Sequence, residues 1–312
     1  MGTVPTVYRW DDAGVPGRPG GTSSADRMNY LSDILRACLV TGYGDKGAAG
    51  WTELYHQAAA ASDGKLVLQN ATQTGVVSLN LNISNRLDGT EVGTDWSDGE
   101  LVGSPGSFFL TLSIMDSPQT MRWMVLANPS GALLLTWRDP TGLTGDALSE
   151  YNSIALYIGS MLPWGSNINP VAAPNMFAYA PRRLYQQSYD GNYRDVSAVS
   201  LIEPNGSQSI SQTVGSFAVL AGAYTLDAAA LYRDVPEALM VPVGVYRDNV
   251  VFARLPGWYC SIGLIQTTQL VELRDNDGLW TGDEVTFLGG SAILVATQYR
   301  YSLISLRAED WP

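Results

Sequence analysis

Runs of four to eight apolar-rich residues, each ended by Gly, Asn, Asp, Ser or Pro, recur along most of this chain and restrict it to a β-rich fold. In the first half they are KLVLQN, GVVSLNLNIS, SFFLTLSIM, RWMVLAN and GALLLTWRD. VSLNLNIS alternates apolar with polar residues, which gives a strand with one buried and one wet face. Between RWMVLA and ALLLTW, Asn128 and Pro129 start a turn and Gly131 permits the positive φ that closes it, so the flanking strands are predicted to form a hairpin. The second half repeats the habit in DVSAVSLIEP, SFAVLAGAYTL, EALMVPVGVY, NVVFARL, SIGLIQ, LVELRD and EVTFLGG. It closes on SAILVATQYRYSLISLRA, predicted to fold back on itself as a hairpin. No repeat of fixed period is present, which excludes solenoids and propellers.

One segment departs from this pattern. After the capping oxygens of Ser23, Ser24 and Asp26, the residues Leu31, Ile34, Leu35, Cys38 and Leu39 fall on one helical face, so a helix is predicted over 26–40, stopped by Gly42 and packed on the core. The following GYGDKGAAGW is a Gly-rich turn, since its glycines lack the spacing and the terminal GK[ST] of a phosphate loop. GDALSEYNSIALYIGSML fits a second short helix, while IALYIG within it reads equally as a buried strand. From Met161 to Arg183 the chain holds four prolines and no period, as a linker does. The expected architecture is therefore mainly β, with two β-rich, sandwich-like domains: 1–180, carrying the amphipathic helix, and 181–312.

At 312 residues the chain is long enough to bury a full core without disulfide or metal, and 46% hydrophobic with 15% charged residues is a globular composition. Thirty acidic against eighteen basic side chains give a net charge of -12. With no basic stripe there is no source of the counterion release that drives nucleic-acid binding, so no nucleic-acid partner is expected. Cys38 on the helix face and Cys260 in a strand run both read as small buried hydrophobes; a bridge between them stays open, because their spacing in sequence says nothing about their spacing in the fold. The amino-terminal segment has neither a basic region nor an apolar stretch of the secretory kind, and no window approaches a membrane span, so folding in a cytoplasm without membrane insertion is expected.

Chemistry-bearing residues are sparse. His56 is the only histidine, with no serine elbow or cysteine motif beside it, and one histidine cannot build a multi-histidine zinc site. RDNDGLWTGDE places Asp275, Asp277, Asp283 and Glu284 around glycines, as hard oxygen ligands suited to calcium, but it lacks the further acid of an EF-hand loop and Asp-Gly is also a common turn dipeptide. DWSDGE adds Asp95, Asp98 and Glu100. Paired acids with nine Trp and sixteen Tyr also match what a glycan hydrolase uses, although aromatics in β proteins more commonly fill sheet faces and subunit contacts. No cofactor is expected. Trp10, Trp258 and Trp311 are candidate contact residues, and Trp311 is predicted to pack on its own domain or on a neighbour.

Two phrases bracket the chain: TVYRWDDAGVPG at Thr6 to Gly17, and ARLPGWY from Ala253 followed by the closing EDWP. Together with CLVTGYGDKGAAGWT at Cys38 to Thr52, the RWMVLANPSGALLLTW hairpin, GDALSEYNSIALYIG and ALMVPVGVYRDNVVFARLPGWY, taken in this order, they resemble a family of tailed-bacteriophage virion structural proteins. GRPGGTSSADRMN, before the helix, is an addition to the pattern. The resemblance implies a non-enzymatic particle component made in the bacterial host cytoplasm. Such a component sits in the capsid surface, neck or tail and contacts other virion proteins and its own copies, with no catalytic residues to carry over. The alternatives are a host-binding adhesin of the tail and a glycan hydrolase.

Overall fold

The computed structural model describes residues 2–60, 64–72, 76–81, 89–93, 107–113, 121–138, 154–160, 162–163, 176–179, 199–202, 208–210, 214–216, 240–247, 250–261, 280–296 and 301–312. In chain order its elements are β1 (Thr6–Arg9), helix α1 (Ser24–Arg36), β2 (Thr52–Gln57), β3 (Gly64–Gln69), β4 (Val76–Leu81), β5 (Gly89–Gly93) and β6 (Ser107–Ser113). There follow β7 (Met121–Ala127), β8 (Gly131–Arg138), β9 (Ile154–Gly159), β10 (Leu162–Pro163), β11 (Met176–Tyr179), β12 (Val199–Ile202), β13 (Gln208–Ile210) and β14 (Val214–Ser216). The last are β15 (Met240–Arg247), β16 (Val250–Ser261), β17 (Glu284–Phe287), β18 (Gly290–Ala296) and β19 (Tyr301–Ser305). The fold is mainly β, as expected, with one N-terminal helix.

Three sheets are formed. The first runs β1-β7-β8-β9-β11-β12-β13, the second β14-β15-β16-β19-β18-β17 with β10 added on β16, and the third β2-β3-β4-β6-β5. Neighbours are antiparallel except β4 and β6, which run parallel. IALYIG is the strand β9 and not part of a helix, because it lies between β8 and β11 in the first sheet. The predicted hairpins β7–β8 and β18–β19 both form. Gly131 is needed there for a different reason from the one expected. It is absent from the positive-φ glycines, but a Cβ at this position would lie 2.2 Å from the Tyr157 hydroxyl.

Helix α1 starts on a reciprocal cap in which Ser23 Oγ accepts from the Asp26 amide at 3.1 Å and the Asp26 carboxylate accepts from the Ser23 amide at 3.0 Å. Beyond Arg36 it widens over Ala37–Thr41 into a turn bonded five residues apart, closed by the Gly42 amide on Ala37 O at 2.8 Å; Gly42, at φ +76°, then ends it. The predicted stripe of Leu31, Ile34, Leu35, Cys38 and Leu39 is buried. It packs with Leu66, Leu68, Val77 and Leu79 of the third sheet and with Trp123 and Val125 of β7.

β7 explains why WMVLA, residues 123–127, is an unbroken apolar run instead of alternating. Trp123, Val125 and Ala127 belong to the core under the helix, while Met124 and Leu126 point into a second core with Leu133, Leu135, Leu255, Trp258, Ile293, Ile304 and Trp311. A strand buried on both faces has no wet face to encode. The same arrangement crosses residue 180: β11 and β12, on either side of it, are hydrogen-bonded neighbours, and the second core joins side chains from both halves. No described helix is long and apolar enough to cross a membrane.

Candidate functional site

The phrases that stand out in the sequence meet in space, in pairs. At the N-terminal end TVYRWDDAG closes on GYGDKGAAGW. Lys46 Nζ donates to Val7 O at 2.7 Å and pairs with the Asp12 carboxylate; Tyr43 OH donates to the same carboxylate at 2.8 Å, and Tyr8 OH to Gly47 O at 2.7 Å. The Arg9 amide adds a third bond to Asp12 at 2.7 Å. Burial pushes the Asp12 carboxyl up, but the bonds from Lys46, the Arg9 amide and Tyr43 outweigh it and hold the group below the ordinary range. Burial, with Cys38 beside it, pushes Tyr8 up to about 12. Cys38 is a free thiol, raised well above its usual value by burial first and then by the Asp12 charge.

At the other end RLPGWY closes on the terminal EDWP. Asp310, with its side chain 2% exposed, accepts from Ser305 Oγ at 2.7 Å, Tyr259 OH at 2.8 Å, Arg254 Nη1 at 3.3 Å, and Arg307 Nη2 and Nε at 2.8 and 3.0 Å. Burial opposes its charge; Ser305, Tyr259 and Arg307 more than offset that, so its pKa falls below the ordinary value. Trp311 fills the second core and donates from Nε1 to Ser305 O at 2.7 Å. Gly257, at φ +66°, lets the backbone pass beneath it: a Cβ there would lie 2.9 Å from both Ser305 O and Trp311 Nε1. Arg254, Gly257 and Tyr259 of RLPGWY thus each touch the segment 305–311.

Asn128, at the turn of the β7–β8 hairpin, connects the two ends. Its Oδ1 accepts from the Ser130 and Gly131 amides, both at 2.9 Å, and its Nδ2 donates to Thr3 O at 3.1 Å and to Pro312 O at 3.2 Å. Its own carbonyl accepts from Trp51 Nε1 at 3.0 Å. Sequence reasoning read Asn128 only as a turn residue. The signal that more was asked of it lay in the apolar runs WMVLA and ALLL on either side, which bury the turn's polar groups and oblige them to find partners.

The candidates drawn from sequence fare differently. Trp258 and Trp311 lie in the chain's own core, so the sites they fill are internal. Trp10 is half-buried, with the guanidinium of Arg122 at 4.8 Å and that of Arg18 at 5.5 Å from its ring. Asp275 and Asp277 lie outside the described residues. Asp283 closes a turn, its carboxylate accepting from the Trp280 amide, while Glu284 is exposed at the start of β17. Among the described residues no group of three or more His, Cys, Asp or Glu could hold a metal ion. His56 bonds Ser32 Oγ at 3.0 Å, and Ser32 is a fully buried residue of α1 itself, so this pair ties β2 to the helix.

Large apolar side chains remain exposed at few described positions. Leu54 is 45% and Tyr55 37% exposed, side by side on β2, the end strand of the third sheet, where a bulge shifts the register between Glu53 and Tyr55. No family model matches the chain, and no curated protein matches it.

Proposed function

We propose that this chain is a non-enzymatic structural component of a tailed-phage virion, acting through protein–protein contacts with other virion proteins and with its own copies. The observation that carries this reading is the use made of the phrases that resemble the phage family. They assemble into two locks that fix both chain ends to the double core, an arrangement suited to a part that must hold its shape within a particle. Exposed Leu54 and Tyr55 on β2, which among the described strands pairs on one side only, offer apolar area and main chain for contact, and the acidic charge disfavours nucleic acid as a partner.

A density map of intact particles tests this directly. The chain is expected among head, neck or tail subunits in a copy number matching the local symmetry, and particles lacking it should assemble poorly or leak. Density at a fibre tip, with intact particles that fail to attach to cells when the chain is missing, would replace this reading with an adhesin. Absence from the particle together with glycan turnover would replace it with a hydrolase.

A further inference from the structure

The carboxyl-terminal strap and the amino-terminal strand are held by the same side chain. Asn128 has two amide hydrogens; one bonds Thr3 O, three residues before β1, and the other bonds Pro312 O, at the far end of the strap formed by residues 306–312. The two ends also touch directly. A Cβ built on Gly2 would fall 2.0 Å from both Ala308 O and Trp311 O, so the N-terminal backbone lies flat against the strap. Moving either end therefore removes a neighbour of the other and leaves half of the Asn128 amide unbonded.

What each end covers is also specific. Among the described strands β1 pairs with β7, from Thr6 opposite Ala127 to Arg9 opposite Met124, and as the end strand of the first sheet it covers the main-chain edge of β7. The strap places Trp311 among Trp258, Leu255, Ile304 and Tyr157, with their ring centroids 6.3 Å apart for the Tyr157 pair. We propose that the strap 306–312 and the strand β1 form one latch over the β7–β8 hairpin, coupled through Asn128 and Gly2, so that release of the strap also uncovers the main-chain edge of β7. The latch is a conformational device: it keeps an adhesive strand edge closed while the strap is docked.

Coupling of this kind is reciprocal, which sets the experiment. Amide hydrogen exchange is followed on the full chain in peptides covering 6–9 and 306–312, with 64–69 of the third sheet as the reference for global opening. Asp310→Asn removes the charge that the strap is built around; it is expected to raise exchange in both 306–312 and 6–9 at least about fivefold more than in 64–69, whose own rise reports the global loss of stability. Gly2→Ala approaches from the opposite end and is expected to loosen 306–312 although it lies outside the strap. Exchange rising in 306–312 alone for the first variant, or in the N-terminal peptide alone for the second, would overturn the coupling. If Asp310→Asn raises exchange equally in all three segments, the decision passes to Gly2→Ala, whose only new atom is one methyl carbon at the junction.

Discussion

Asp12 and Asp310 each tie one end of the chain to the body of the protein, but their surroundings differ. Asp12 keeps 17% of its side chain in water and is met by one lysine, one tyrosine and one amide. Asp310 is sealed, with two arginines, a tyrosine and a serine around it. Water can take the place of a lost partner at the first site and cannot at the second. A buried charge is stable only while its whole set of donors is present, so the C-terminal lock should be the more brittle of the two.

That contrast orders the expected effects. Trp311→Ala empties a large volume in the second core and should lower unfolding free energy by about 3–5 kcal/mol in denaturant titrations. Asp310→Asn leaves Arg254 and Arg307 facing a neutral group and should cost about 3 kcal/mol by the same measurement. Lys46→Met keeps the aliphatic stem and removes only the charged donor at the wetter site, so about 1 kcal/mol is expected. An equal loss from Lys46→Met and Asp310→Asn would break the comparison. Glu53→Gln, which removes the charge from the half-buried pair with Arg36, should change stability by about 1 kcal/mol or less.

The pH dependence sharpens the same contrast. Asp310 and Asp12 both have folded pKa values below the ordinary 3.8, so each contributes stability that is complete above that value and is lost as pH falls through the folded one. Stability of the wild type should therefore fall on the acid side below about pH 4, and Asp310→Asn should flatten that limb more than Asp12→Asn does. Tyr8 behaves oppositely. Its folded value of about 12 lies above the ordinary 10.0, so its contribution is complete below pH 10.0 and is lost as pH rises through about 12. Tyr8→Phe should remove that part of the alkaline limb.

Much of the fold was legible because local rules and global position agree. The cap at Ser23, the stripe from Leu31 to Leu39, the stop at Gly42 and the hairpins β7–β8 and β18–β19 depend on neighbours in sequence, and each formed where its pattern placed it. IALYIG was ambiguous because a short apolar run buried on both sides carries no period; only pairing with β8 and β11 decides that it is a strand. Prolines mark where a chain cannot continue regular structure, but they do not say whether the strands beyond will join the same sheet.

By itself the sequence determined the mainly β class, the N-terminal helix with its cap and buried face, and the places where the β7–β8 and β18–β19 hairpins turn, since these follow from periodicity and from the residues that interrupt it. Only the tertiary structure decided that RLPGWY faces EDWP, that YRWDD faces GYGDKG, and that Asn128 holds both ends. Those meetings join residues up to 184 positions apart, and no local preference encodes a partner at that distance. What selects it is the need to satisfy every polar group that the packing of the two cores has shut away from water.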